Sequence, residues 1–193
     1  NAALETLRTA RKMGAIHPNL DYVYAAAHEQ MALWAVTPEA RDGHLATARE
    51  QFSAAISQHG RSYAEPLQHG VTSWSAGVRL GIVLLQEDQP DRAMRCFQAA
   101  LERSPDPIDA VLGIAETLLD IGQPAETLHV LEPYLSRETA DGWLLAADAA
   151  QRLGDVGLFN EYIQQACELA STRLRSLHRL PRLDGLLVKP KAS

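Results

Sequence analysis

Seven histidines, two cysteines and a scatter of carboxylates are the side chains with which this chain of 193 residues could do chemistry. The histidines are His17, His28, His44, His59, His69, His129 and His178, and no two of them stand at metal-ligand spacing with a carboxylate. His28-Glu29 begins like the helical zinc-protease pattern, which needs a second histidine one turn later to put two imidazoles on one face. Ala32 holds that place. Cys96 and Cys167 are far apart, and both are expected as buried small hydrophobes rather than reactive thiols. The sequence has no glycine-rich phosphate loop and no Gly-x-Ser-x-Gly turn to present a nucleophile. It has no Asp-x-Asp pair to hold a metal-bound sugar nucleotide. We therefore expect no catalytic residue, no metal and no cofactor.

The elements that would position any such residue are helical. Aromatics make up only 6% of the chain while alanine and leucine abound, a balance that favours close-packed helices over sheets. Asp106-Pro107 sets a capping carboxylate before a proline at a first helical position, where the missing N–H costs nothing. Gly122, Gln123 and Pro124 end one helix and start the next, and Gly154-Asp155 does the same later. Between these marks apolar residues recur at three and four, as in Leu80, Val83, Leu84 and in Leu112, Ala115, Leu118, Leu119. We read about nine helices, at 2–13, 20–36, 44–59, 74–87, 90–103, 107–121, 124–135, 140–153 and 156–179, with 60–73 as an ordered connection. Pro133 should loosen the last turn of its helix.

A self-match at about 34 residues organises these helices. In the stretch from Trp74, Leu80-Gly81 and Leu84 lie on a first helix, Ala93, Phe97 and Ala100 on a second, and Pro105 closes the unit. From Ile108 the matching places hold Val111, Ile114-Ala115, Leu118, Thr127, Leu131 and Tyr134. From Ala140 they hold Trp143, Ala146-Ala147, Ala150, Phe159, Ile163 and Ala166. Upstream, Ala48, Phe52 and Ala55 look like the second helix of another copy. Its first helix would be LDYVYAAAHEQMALWAV, and the intervening loop TPEARDG makes it too long. Two antiparallel helices pack closely only where one presents a small side chain to the other, and Gly81 and Ala93 are such places. One hairpin cannot bury its own apolar face, so several must stack.

This order of residues resembles the tetratricopeptide repeat nearly position for position. It departs at Gly77, where tryptophan is common, and at Leu84, where tyrosine is common. The match is close over 74–173 and loose over 20–59. The resemblance implies an all-α fold, a right-handed α-solenoid of antiparallel helix hairpins. Residues 1–59 would form an N-terminal helical region with a divergent hairpin, 60–73 a connection, 74–173 three tandem repeats, and 174–193 a basic capping segment and tail. The repeat signature would then be Trp74, Leu80, Gly81, Ala93, Phe97, Ala100, Pro105, Trp143 and Ala147. The resemblance also implies a non-catalytic scaffold for a protein or peptide partner, or for another domain of the same parent chain. Asp109, Glu116, Asp120, Asp141 and Asp148 fall on first helices, on or near the face that lines the family's concave groove, and Arg79 and Arg152 share that region. They read either as ordinary solvated helix charges or as an acidic groove that selects basic or amphipathic peptides. The family's grip on a terminal carboxylate needs lysine and asparagine on these faces, and neither is there. Helix-rich solenoid ends often pair, which makes a homodimer compatible.

His69-Gly70-Val71-Thr72-Ser73-Trp74 and the stretch DYVYAAAHEQMALW are similar to the lead-in of bacterial proteins that join a glycosyltransferase domain to a tetratricopeptide tail. That resemblance implies an accessory, non-catalytic C-terminal region whose transferase domain lies elsewhere. The net charge of −6 and the few aromatics do not make a nucleic-acid platform. No apolar run approaches the ~18 residues of a membrane span. No signal-like order follows Asn1, so a cytoplasmic location is expected. A chain that begins without methionine is expected to be a piece of something longer. The last stretch carries Arg173, Arg175, Arg179, Arg182, Lys189 and Lys191 against Asp184 alone. Leu174, Leu177, Leu180 and Leu183 recur every three residues there, up to and past a break at Pro181. We expect a helix that caps the last hairpin near Trp143 and Ala147. The alternatives are a segment that folds back into the acidic groove and a helix lying on an anionic bilayer.

Overall fold

The computed structural model describes residues 2–13, 17–63, 70–135 and 140–170. Among them are nine α-helices and no strand: α1 (Ala2–Lys12), α2 (Pro18–Leu33), α3 (Pro38–Ser57), α4 (Trp74–Gln86), α5 (Pro90–Leu101), α6 (Ile108–Asp120), α7 (Pro124–Leu131), α8 (Ala140–Leu153) and α9 (Val156–Ala170). A short 3₁₀ turn, Glu132–Tyr134, follows α7. It lies where Pro133 removes a helical donor. The chain divides into two compact units, Asn1–Pro105 and Asp106–Ser193. In the first, α1 lies against α2, and α2, α3, α4 and α5 pack each on the next. In the second, α6, α7, α8 and α9 do so, and α6 also lies against α8. This is the all-α solenoid arrangement of stacked hairpins. The basic segment 174–193, with its expected cap, lies outside the described residues.

The repeat is written in the backbone. After α4, Asp88 adopts a left-handed φ of 57°, its N–H bonds Leu85 O at 3.0 Å, and the next N–H, of Gln89, bonds Leu84 O at 2.9 Å. After α6, Gly122 (φ 77°) and Gln123 make the same pair of bonds, to Leu119 O and Leu118 O. After α8, Gly154 (φ 78°) and Asp155 make it again, to Gln151 O and Ala150 O. Each is a Schellman turn, which satisfies the last carbonyls of one helix and reverses the chain into the next. Residues 88, 122 and 154 are therefore equivalent positions of three repeats. Proline then opens α5 and α7 at Pro90 and Pro124, where no N–H is missed.

Two boundaries differ from the sequence reading. The expected loop TPEARDG is the start of α3: Thr37 caps it through Oγ1, which accepts from Ala40 N at 3.2 Å, and Pro38 is its first residue. Gly43 signals a break in the sequence, yet a single mid-helix glycine costs only ~1 kcal/mol. It sits in a helix that buries Leu45, Ala48, Phe52 and Ala55. Pro107 stands one residue before α6 rather than inside it, and Asp106 Oδ1 accepts from Ile108 N at 3.3 Å.

Small residues set the interhelical distance. A Cβ placed on Gly81 would lie 2.6 Å from Phe97 Cε1 and Cζ, so the ring occupies the space that any side chain there would need. Ala93, Phe97 and Ala100 of α5 are all buried, at 0%, 0% and 2% exposure. The first unit's core continues through Ala25, Ala32, Leu45, Ala48, Phe52, Ala76 and Val83, with Leu80 packed on its edge. In the second unit, α8 buries Leu144, Leu145, Ala146, Ala147, Ala149 and Ala150. Trp143 is half-buried, its ring 5.5 Å from that of Tyr162. Pro105 is exposed and closes its unit without contributing to the core. Phe97→Ala should cost about 3–5 kcal/mol by opening a cavity. Ala93→Leu should cost about 1–3 kcal/mol by overpacking. Urea denaturation of the purified variants checks both, and a Phe97→Ala cost under about 1 kcal/mol would contradict the placement of that ring.

Candidate functional site

Repeat register determines which charges share a face. Asp109, Glu116 and Asp120 lie seven and four residues apart on α6, and Asp141, Asp148 and Arg152 have the same spacing on α8. Seven and four are both close to whole numbers of helical turns, so each trio follows one side of its helix. The two trios also occupy equivalent repeat positions, 32 residues apart like Gly122 and Gly154. Because α6 and α8 lie against each other, the two trios stand on adjacent helices of the second unit. Arg152 ties it together. Its Nε and Nη2 donate to Asp148 Oδ1 and Oδ2 at 2.9 and 3.0 Å, and its Nη1 donates to Leu119 O at 2.7 Å, at the C-terminal end of α6. A cation placed there also meets the negative end of the helix dipole. Of the five carboxylates, Asp148 is the one that this guanidinium is shown to engage.

The sequence leaves these residues as either solvated helix charges or the lining of an acidic groove, and their depth in the structure varies. Asp109, Asp120 and Asp148 are half-buried and Arg152 is exposed, as a groove would have them. Glu116 is 1% exposed and Asp141 8%, so neither is an ordinary solvated helix charge.

Arg79 belongs elsewhere. It is 8% exposed, within the first unit, and its Nη2 lies 2.6 Å from Glu29 Oε2 of α2. Its guanidinium also stands 5.8 Å from the centre of the Phe52 ring. One repeat along, its position is that of Gly113, not of the acidic trio. Arg79 and Glu29 are a buried ion pair that joins α2 to α4.

The histidines and cysteines also find their places. His28 is buried, and its Nδ1 lies 3.0 Å from Nδ1 of His44, so one ring donates to the other between α2 and α3. The Tyr24 ring lies 4.7 Å away. Burial, then His44, then Arg8, push the His28 imidazolium below its ordinary range. Among the described residues no cluster of three or more histidine, cysteine and acidic side chains could hold a metal ion. Cys96 is half-buried, and burial pushes its thiol up, away from an activated thiolate. Cys167 is exposed, not the buried hydrophobe expected: α9 buries Ala166 but turns the next residue outward. Gly70 (φ 76°) lies beneath the Trp74 ring so closely that a Cβ there would come within 2.4 Å of Cε2. His69, the other end of that motif, lies outside the described residues.

With this geometry in view, comparison with known proteins is direct. The family model of the tetratricopeptide repeat matches residues 84–149, from the end of α4 through most of α8. Over those residues the chain is similar to the tetratricopeptide repeat. Two solved structures share the fold. One is titled as the crystal structure of MamA, with a TM-score of 0.64 at 14% identity over 88% of this chain and 87% of that one. The other is titled as YrrB, a TPR protein with an unusual peptide-binding site, with a TM-score of 0.60 at 17% identity over 92% of this chain and 81% of that one. No curated protein sequence matches the chain. Among the described residues no helix is long and apolar enough to cross a membrane.

The core of the first unit holds two polar pairings, Arg79 with Glu29 and His28 with His44. Arg79→Met should cost about 3–5 kcal/mol, because it strands the Glu29 carboxylate in the core. Combining it with Glu29→Leu should recover most of that loss, as read from urea midpoints; equal costs for single and double variants would contradict the pairing.

The depressed His28 carries a pH consequence. An imidazole with a lowered folded-state value binds its proton more readily when unfolded, at about pH 6.5. The stability that its neutral form contributes is present above that pH and lost on acidification. Melting temperature should fall between about pH 7.5 and pH 5, and His28→Gln should lessen the fall. An identical pH slope in the variant would show that His28 contributes nothing to it.

Proposed function

We propose that this chain is a non-catalytic interaction scaffold whose second unit holds a basic or amphipathic segment of a partner on the α6–α8 surface. The observation that carries this reading is the repetition of acidic residues at equivalent positions of adjacent first helices. Repetition of a charge at the repeat period gives an extended ligand the same contact at each step. The partner is a protein or peptide, or another domain of the same parent chain, and a homodimer is compatible with it. The location we propose is the cytoplasm.

Asp109 and Asp120 are the charges to engage a ligand, since both keep solvent access while Glu116 and Asp141 lie deep. Asp148 is held by Arg152, and a basic ligand would compete for it. A second reading is an accessory region of a bacterial glycosyltransferase. It rests on the sequence resemblance around Gly70 and Trp74, for which the close approach of the ring to the glycine is a sufficient packing reason. Finding a transferase domain in the parent gene upstream of Asn1 would establish it.

The scaffold reading predicts that Asp109→Lys with Asp120→Lys weakens binding of a lysine-rich amphipathic peptide by about tenfold at low salt. The salt dependence should flatten as well. Fluorescence anisotropy of the labelled peptide measures both. Unchanged affinity at low salt would remove this surface as the site.

A further inference from the structure

We propose that the first unit carries a separate docking cleft for an acidic amphipathic helix, built on the opposite charge from the α6–α8 surface. The cleft has a volume of about 280 Å³ and is lined by α3, the start and core face of α4, and α5. Its apolar part is Ile56, Leu80 and Leu84. Its polar rim is Arg92, Arg95 and Arg103, and no acidic side chain lines it. In a chain with 24 acidic and 18 basic residues, three guanidiniums gathered without a carboxylate are a local reversal of the molecule's charge.

The arginines are ordered along the cleft. Arg92 and Arg95 are one turn apart on α5, and Arg103 lies just past its end, on the same ridge two further turns along. All three are exposed. Arg92 Nη1 donates to Gln89 Oε1, and among the described residues none of the three makes an ion pair. A row of about 16 Å, at 1.5 Å per residue, matches three turns of a helix laid alongside.

A ligand helix with carboxylates along one edge would meet the row, because arginine pairs with carboxylate in bidentate geometry. Its neighbouring leucine-type side chains would enter the apolar part, the helix-in-groove mode of recognition. An apolar floor beside the cations favours such a peptide over a nucleic acid, which would offer phosphates but no aliphatic side chain. The inference goes beyond the scaffold reading, since it concerns other residues in the other unit. The two can fail separately.

The test uses a fluorescent helical peptide of about four turns with leucines on one face and glutamates along its edge, and the same peptide with lysines in their place. The glutamate peptide should bind about tenfold tighter than the lysine peptide, and Arg92→Glu/Arg95→Glu/Arg103→Glu should abolish that preference. Ala99→Trp, which fills the cleft without changing its charge, should weaken binding to a similar degree. Arg92→Gln/Arg95→Gln/Arg103→Gln serves as a second variant if the reversal lowers the melting temperature. Cys96 also lines the cleft. In a Cys167→Ser background its reaction with a thiol reagent should slow when the glutamate peptide is bound. Three outcomes would overturn the proposal: equal binding of the two peptides, glutamate-peptide affinity unchanged by the arginine and Ala99 variants, or displacement of that peptide by single-stranded RNA but not by its unlabelled copy.

Discussion

The contact between Gly81 and Phe97 sets the spacing on which the rest of the structure depends. The ring is wholly buried and fills the place of the missing side chain. The same register recurs along the chain with a compensating change. Where the second helix carries Leu131 instead of phenylalanine, the first helix carries Ala115; where it carries Ile163, the first carries Ala147. Both alanines are fully buried. A bulkier partner is matched with no methyl and a smaller one with a methyl, as close packing at constant density requires. In sequence register, three different pairs thus occupy the equivalent place of the three hairpins.

Fixed spacing makes register into geometry. The α4–α5, α6–α7 and α8–α9 hairpins close through the same Schellman turn, at Asp88, Gly122 and Gly154, so within the second unit corresponding residues of α6 and α8 hold the same register. That is why acidic residues of α6 recur at equivalent places on α8, two of them, Glu116 and Asp141, below the surface. Polar pairs reinforce the packing where the repeats are least regular. Glu29 and Arg79 join α2 to α4, and Arg49 of α3 bonds Glu87, just after α4, at 2.9 Å. A buried pair of this kind contributes little net stability over apolar residues of the same size, but it penalises every arrangement that parts the two charges.

Much of this was legible in the sequence. Gly122-Gln123-Pro124 and Gly154 mark turns because a left-handed residue followed by a helix-opening residue has few other uses. The small-large alternation at Gly81, Ala93 and Phe97 marks a helix interface. What escaped reading has physical causes. Asp88 takes the left-handed position without being glycine, so the first of the three turns carried no glycine mark. Thr37-Pro38 is a sound helix start that the glycine at 43 obscured. The depth of Glu116 and Asp141 depends on the neighbouring helices, and charge pattern alone does not report it. The pairings of Arg79 with Glu29 and of His28 with His44 join residues 50 and 16 positions apart, across an irregular first hairpin that the repeat period does not predict. The arginine row on α5 was visible as sequence, but the cleft beside it exists only once α3 and α4 are in place.

The most direct test compares two glycines of one helix. Glycine to alanine in a helix ordinarily stabilises by about 0.5–1 kcal/mol. At Gly77 the new methyl would stand 3.4 Å from Ala100 Cβ, an ordinary contact, so Gly77→Ala should follow that rule. At Gly81 the same methyl meets the buried Phe97 ring at 2.6 Å, and Gly81→Ala should instead destabilise by about 1–3 kcal/mol. The cost should shrink when Phe97→Leu is added, reproducing the Ala115–Leu131 pairing of the next repeat. Opposite signs for the two alanines in chemical denaturation are the expected result. If Gly81→Ala stabilises the protein as Gly77→Ala does, the spacing is not set by this contact, and the account built on it is wrong.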